Sequence, residues 1–187
     1  MPRAYAQLTF TPNVRAIQEK QGSAANYAKF LAPEVSEGDA FTAREAEFIA
    51  QRDGFYQATV SETGWPYVQF RGGPCGFLKL LDAKRLAYAD FRGNRQYLSV
   101  GNLQSNKRIS LFLMDYPNKR RLKILGTVEL VEIEDDPELV AGLHDPFYRA
   151  VPERAIVITL AGFDWNCPQH IPQRYTLEEL SELELKQ

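Results

Sequence analysis

Two cysteines, Cys75 and Cys167, are all that 187 residues hold, and neither belongs to a C-x-x-C pair. A disulfide framework or a structural zinc site has nothing to build on, and a reducing cytoplasm is the expected setting. Histidine is as scarce, at positions 144 and 170. Cys167 and His170 stand three apart in "CPQH", yet no further Cys or His lies nearby to complete a tetrahedron, and no third residue orients them as a nucleophile pair. No metal is expected. Charge of one sign is also missing: 22 Lys and Arg face 24 Asp and Glu, so the whole chain is no magnet for nucleic acid or acidic membranes, and any anion site must be local. No apolar run approaches the roughly 20 residues that cross a bilayer. The opening "MPRAYAQLTF" lacks the basic start and apolar stretch of a signal peptide. Walker and G-x-G-x-x-G patterns are absent, which removes the usual triphosphate and dinucleotide cradles. A soluble cytoplasmic protein is expected.

What is present is an ordinary globular composition, 44% apolar and 25% charged, long enough for one domain with its own core. Residues 1–54 read as helical. Thr11 caps a helix that has Pro12 at its first position and Gly22 after its last turn. Thr42 and Glu45 form a capping box, Phe41 can staple onto Ala46, and Gly54 stops that helix. From Phe55 the period drops to two. "FYQATVS" and "WPYVQF" flank a hairpin break, and "GFLKLL" and "RLAYA" flank another. "RISLFLMD", "RLKILGTVELVEI" and "AIVITLAGF" follow. Six or seven closely spaced strands with few helices between them predict a mainly antiparallel sheet or barrel. One helix is expected from about Arg95 to Leu103 and a weaker one within "DDPELVAGLH". The tail "TLEELSELELK", with Thr176 and Glu179 as a capping box, reads as an amphipathic helix that packs on the barrel or makes a dimer contact.

The basic residues carry the strongest chemical signal. Arg71 ends a strand, Arg92 and Arg95 bracket Gly93-Asn94, and Arg121 and Lys123 share one face of the longest strand. Strand ends converge at a barrel mouth, where guanidinium forks answer the geometry of a phosphate and Gly93 lets backbone N–H groups approach. The duller reading of Lys119, Arg120 and Arg121 is an exposed turn. "FDWNCPQHIPQRY" suits a lid or ligand wall, or a surface loop pinned by Trp165. With few acid–base groups on offer, these features point to a phosphorylated organic cofactor that brings its own reactivity.

"SETGWPYVQFRGGPCGFLKLLD", "ADFRGNRQYLSVGNL", "LFLMDYPNKRRLKILG" and "FDWNCPQHIPQRY" together resemble the FMN-binding split-barrel family related to pyridoxamine 5'-phosphate oxidase, in its bacterial branch of flavin-nucleotide-binding proteins. The resemblance implies a six-stranded antiparallel split β-barrel that works as a homodimer, with FMN at the subunit interface and a small-molecule electron donor and acceptor. It divides the chain into a helical extension at 1–54, the barrel at 55–165, and a C-terminal segment and helix at 166–187. By the same resemblance Val68, Gln69 and Phe70 line the isoalloxazine, with Arg71 beside them. Ala89, Asp90, Arg92, Gly93, Asn94, Arg95 and Gln96 form the strand and loop around the ribityl phosphate. Arg121 reaches the flavin with Lys123 in support, and Trp165 belongs to a segment that covers the flavin of the partner. Gly93-Asn94-Arg95 replaces the oxidase's S-R-K motif, Phe70 stands where His is expected, Cys75 where another residue is, and Trp165 and Arg174 match its C-terminal pair only loosely. Fold and cofactor are therefore implied more directly than the oxidase reaction. Tyr67, Cys167 and His170 are the candidate proton donors. A non-catalytic flavin store or sensor, or a split barrel holding haem or a deazaflavin, is the alternative.

Overall fold

The computed structural model describes residues 3–33, 37–165 and 167–185, with only the backbone described at 182–184. Asn166, within the segment expected to cover a flavin, lies outside the described residues. Four helices come first: α1 (Ala4–Thr9), α2 (Pro12–Lys20), α3 (Ala24–Tyr27), which runs on into a 3-10 turn at Ala28–Leu31, and α4 (Ala43–Ala50). The sequence signals account for two of them. The Thr11 hydroxyl accepts from the Val14 N–H and Pro12 opens α2, while Thr42 and Glu45 form the reciprocal box at α4. The ring of Phe41 stacks on Phe163 in the core. Gly54 does not stop α4, which already ends at Ala50; it opens the first strand. A Cβ there would sit 2.4 Å from the Phe70 ring, so the missing side chain leaves room for that ring across the hairpin.

Seven strands follow: β1 (Gly54–Val60), β2 (Pro66–Gly72), β3 (Lys79–Asp82), β4 (Arg85–Phe91), β5 (Arg108–Asp115), β6 (Arg120–Glu132) and β7 (Pro152–Trp165). They form one antiparallel sheet in the order β2-β1-β5-β6-β7-β4-β3, seven strands rather than the six that the resemblance implied. Period-two burial along β5 and β6 drives Leu111, Leu113, Leu122 and Ile124 inward, where they meet Ile156 and Ile158 of β7. Such a sheet cannot be flat, because its inward face is buried against itself.

The two ends of the strand order come together through side chains. Arg71 of β2 donates to Asp90 of β4 at 2.7 Å, and Tyr88 of β4 donates to Gln57 of β1 in the interior. Neither pair belongs to neighbouring strands of the ladder. These contacts draw the sheet into a split barrel. Helix α5 (Leu98–Ser105) crosses the β1–β2 side: Ser99 donates to Gln69 and Asn102 to Thr59. The helix starts three residues later than its pattern predicts, because Arg95 and Tyr97 both take positive φ and helical backbone cannot pass through them. Helix α6 (Pro137–Leu143) lies where "DDPELVAGLH" predicts it, with the Asp136 side chain as its cap. The tail forms α7 (Leu177–Glu184) behind the Thr176–Glu179 box, but Leu177, Leu180 and Leu185 stay exposed instead of packing on the barrel.

Candidate functional site at the split of the sheet

β2 alternates strictly. Tyr67, Gln69 and Arg71 face the split and α5, while Val68 and Phe70 face outward. From the other side, β4 brings Asp90 and then leads into the Arg92–Tyr97 loop. Between them lies a pocket of about 220 Å³, and seven of the expected cofactor residues line it: Gln69, Arg71, Asp90, Gly93, Asn94, Arg95 and Gln96. A neighbouring hollow of about 230 Å³ takes in Phe70, Ala89 and Arg92 and shares Arg71 and Gly93 with the first.

The electrostatics are richer than a bare cationic loop. Arg154 on β7 sits between Asp90, its cross-strand partner on β4, and Glu132, its partner on β6, with donors 2.9 and 3.0 Å from their oxygens. Arg92 donates to Glu153 at 2.9 Å, and the Tyr97 hydroxyl donates to the same oxygen. Arg92's hydrogen bond, aided by Tyr97 and by the Arg154 charge, holds Glu153 below the usual carboxylate range. Four guanidiniums (Arg71, Arg92, Arg95 and Arg154) thus meet three carboxylates, which leaves a local surplus of positive charge in a chain of net charge −2. Burial pushes the Tyr88 phenol far up, so it stays protonated beneath Arg71.

Two features leave this pocket short of partners. The Nε of Arg71 is buried with no hydrogen-bond partner among the described residues. At the start of α5, Tyr97 is left-handed and gives no side-chain cap, so Leu98, Ser99 and Val100 turn the open end of an eight-residue helix toward the pocket. Gly93 has open space where a Cβ would be. These residues fit an oxyanion such as a phosphate monoester.

Four expected residues lie outside both hollows. Arg121 stacks over Phe112 and lines an open groove with Tyr56, Met114, Tyr116, His170 and Arg174. Lys123 reaches Asp164 and the Tyr5 ring. Trp165 donates to Glu45 at 2.7 Å and packs edge-on against Phe48, so it braces α4. Val68 is 61% exposed on the outer face. Of the candidate proton donors, Tyr67 lines the pocket, whereas His170 stands in the Arg121 groove and Cys167 beside Lys123. Among the described residues no cluster of three or more metal-ligating side chains occurs. Glu153, Arg154, Tyr97 and Ser99 are the site residues that sequence reading missed. The adjacent Glu-Arg after Pro152 was the available hint, but only strand register shows what they face.

A family model described as pyridoxamine 5'-phosphate oxidase matches residues 41–161. No curated protein sequence matches the chain. Among solved structures, HupZ from Group A Streptococcus is similar with a TM-score of 0.51 at 16% identity, covering 72% of this chain and 100% of that one. An FMN-binding protein from Syntrophomonas wolfei subsp. wolfei gives a TM-score of 0.51 at 10% identity, covering 65% of this chain and 83% of its own. Both likenesses concern the fold.

Proposed function

The chain belongs to the pyridoxamine 5'-phosphate oxidase family, and from that membership we propose that it is an FMN-dependent oxidoreductase working as a cytoplasmic homodimer. The observation that carries this reading is the unpartnered Arg71 Nε in a pocket closed by an uncapped helix start. Gly93, Arg95 and the first N–H groups of α5 bind the phosphate, and Arg71 faces the ring end. Asp90, 4% exposed and bonded to both Arg71 and Arg154, keeps that guanidinium from swinging out. The ring lies against the split-facing side of β2, at Gln69 and Arg71, and a second copy covers the outer face, where Val68 and Phe70 are exposed beside Tyr56. Bound FMN supplies hydride or single-electron transfer between a reduced donor and an organic acceptor or dioxygen. Positive charge from Arg71 favours the anionic reduced ring, and Tyr67 is the hydroxyl available to hold a proton there.

A visible spectrum of the purified protein is the first test. Flavin bands are expected, and anaerobic NADH or NADPH should bleach them. A Soret band or a deazaflavin spectrum would replace FMN with the rival cofactor. Flavin that neither nicotinamide nor a common donor reduces would leave a non-catalytic store or sensor. That second reading draws support from the lining of the pocket, which among the described residues includes neither histidine nor cysteine.

A further inference from the structure

A second cleft, of about 440 Å³, opens between the N-terminal helices and the ends of β6 and β7 and shares no lining residue with the pocket at the split. Its volume is that of a small-molecule site. Four rings wall it. Phe10 and Tyr27 meet edge to face at 5.5 Å, Tyr27 and Phe30 lie 5.8 Å apart with the Arg3 guanidinium 4.5 Å from the Phe30 centroid, and Tyr5 lies under the Lys123 ammonium at 4.4 Å. At one end sits Asp164, whose Oδ1 accepts from Arg3 at 3.0 Å and whose Oδ2 lies 3.1 Å from Lys123 Nζ. Glu37 lies 3.4 Å from Arg3 as well. Asp164 thus answers Arg3 and Lys123 at once, while Glu37, outside this cleft, shares Arg3.

The pairing of Lys123 with Asp164 selects the ligand. An anion would face Asp164 and a cation would face Lys123, each at close quarters in a partly desolvated cleft. A neutral amide edge offends neither: its carbonyl accepts from the ammonium, and its N–H donates to the remaining carboxylate lone pairs. A cleft walled by aromatic side chains suits a planar ring. We propose that the cleft between the N-terminal helices and the β6–β7 ends binds a planar aromatic or heteroaromatic molecule through an uncharged amide-type edge held by Lys123 and Asp164. An adjoining hollow of about 600 Å³, reached past Arg3, Asp164 and Trp165, leaves room for the rest of a larger ligand.

Benzamide and benzoate, nearly identical in shape, separate the possibilities when titrated against the full chain by ligand-observed NMR, with and without FMN. Benzamide should bind about tenfold or more tightly than benzoate, because a site built to receive an N–H rejects the analogue that lacks it. Lys123→Met, which keeps most of the stem, should weaken benzamide by about tenfold, and Asp164→Asn should erase the preference over benzoate. Tyr27→Leu, at a partly exposed ring outside the sheet, provides a second weakened variant should a sheet substitution fail to fold. Benzoate binding as tightly as benzamide would overturn the proposal, as would Tyr27→Leu and Lys123→Met both binding like the parent. Displacement of benzamide by saturating FMN would overturn it too, by making the cleft part of the flavin site. Binding that persists in a protein shown not to take up flavin would support it while ending the FMN reading, so the two fail separately.

Discussion

Arg95 combines two properties that seldom share a residue: a left-handed backbone with φ of 61°, and an exposed guanidinium near Tyr97 and Glu153. The Tyr97 side chain, with the charge of Glu153, raises its pKa further, so it is cationic at every relevant pH. Replacing it with alanine removes the charge where the phosphate is proposed to dock and should weaken FMN about ten- to a hundredfold. The melting temperature should barely move, and fluorescence titration with FMN reads the change; unchanged affinity would mean that the phosphate sits elsewhere. Asp115 shows the other side of residue-scale electrostatics. Burial alone would raise its pKa, but hydrogen bonds from Arg120 and Asn118, with the Arg52 charge nearby, outweigh burial and hold it low. A lowered carboxylate contributes stability that is full above its unfolded value of about 3.9 and lost as pH falls through the folded one. Asp115→Asn should therefore cost about 2 kcal/mol at pH 7 and flatten the acid limb of the stability curve below pH 4, as urea melts across pH would record. At this scale the shared pocket of Gly93, Arg95 and Arg71 was legible, because a glycine flanked by arginines stands out by residue type. Arg154 was not, since its role depends on being paired with Asp90 and Glu132 from strands far away in sequence.

Elements were legible wherever a period or a cap marks them. Strict alternation reported β5 and β6, and capping boxes reported α4 and α7. The start of α5 was not, because positive φ at Arg95 and Tyr97 has no signature in non-glycine residues. Strand order was hidden as well: β1 pairs with β5, and β4 with β7, across long intervals that no local pattern reveals. Contact between α1 and the sheet depends on one glycine. A Cβ at Gly162 would lie 2.9 Å from the Tyr5 nitrogen and 3.1 Å from the Ala4 carbonyl carbon, so α1 rests directly on the β7 backbone. Gly162→Val should cost about 1–3 kcal/mol and release α1. Hydrogen exchange mass spectrometry should then show faster exchange at residues 4–9 and unchanged protection in β5 and β6.

For the whole molecule, the outer face of β2 and β1 carries Tyr56 at 41%, Val68 at 61% and Phe70 at 58% exposure, a contiguous apolar surface that a lone soluble chain would seldom keep bare. If the proposed flavin-binding dimer forms through this face, the double substitution Val68→Lys, Phe70→Glu should yield a monomer by light scattering and abolish flavin retention together with dimerisation. A dimer that survives it would relocate the interface. The sheet's inner packing should be indifferent to that change but not to Leu111→Ala, a fully buried leucine whose truncation should cost about 2–5 kcal/mol in denaturant melts.

The meeting of the sheet's two ends has a kinetic consequence. No backbone ladder joins β2 to β4; what spans the gap is the Arg71–Asp90 pair and its neighbours. A flat guest docking beside that pair would meet side-chain tips, and not a row of paired amides. Its arrival should be governed by diffusion and rotamer hops, with the shallow temperature dependence of docking in place of the steep one of unfolding.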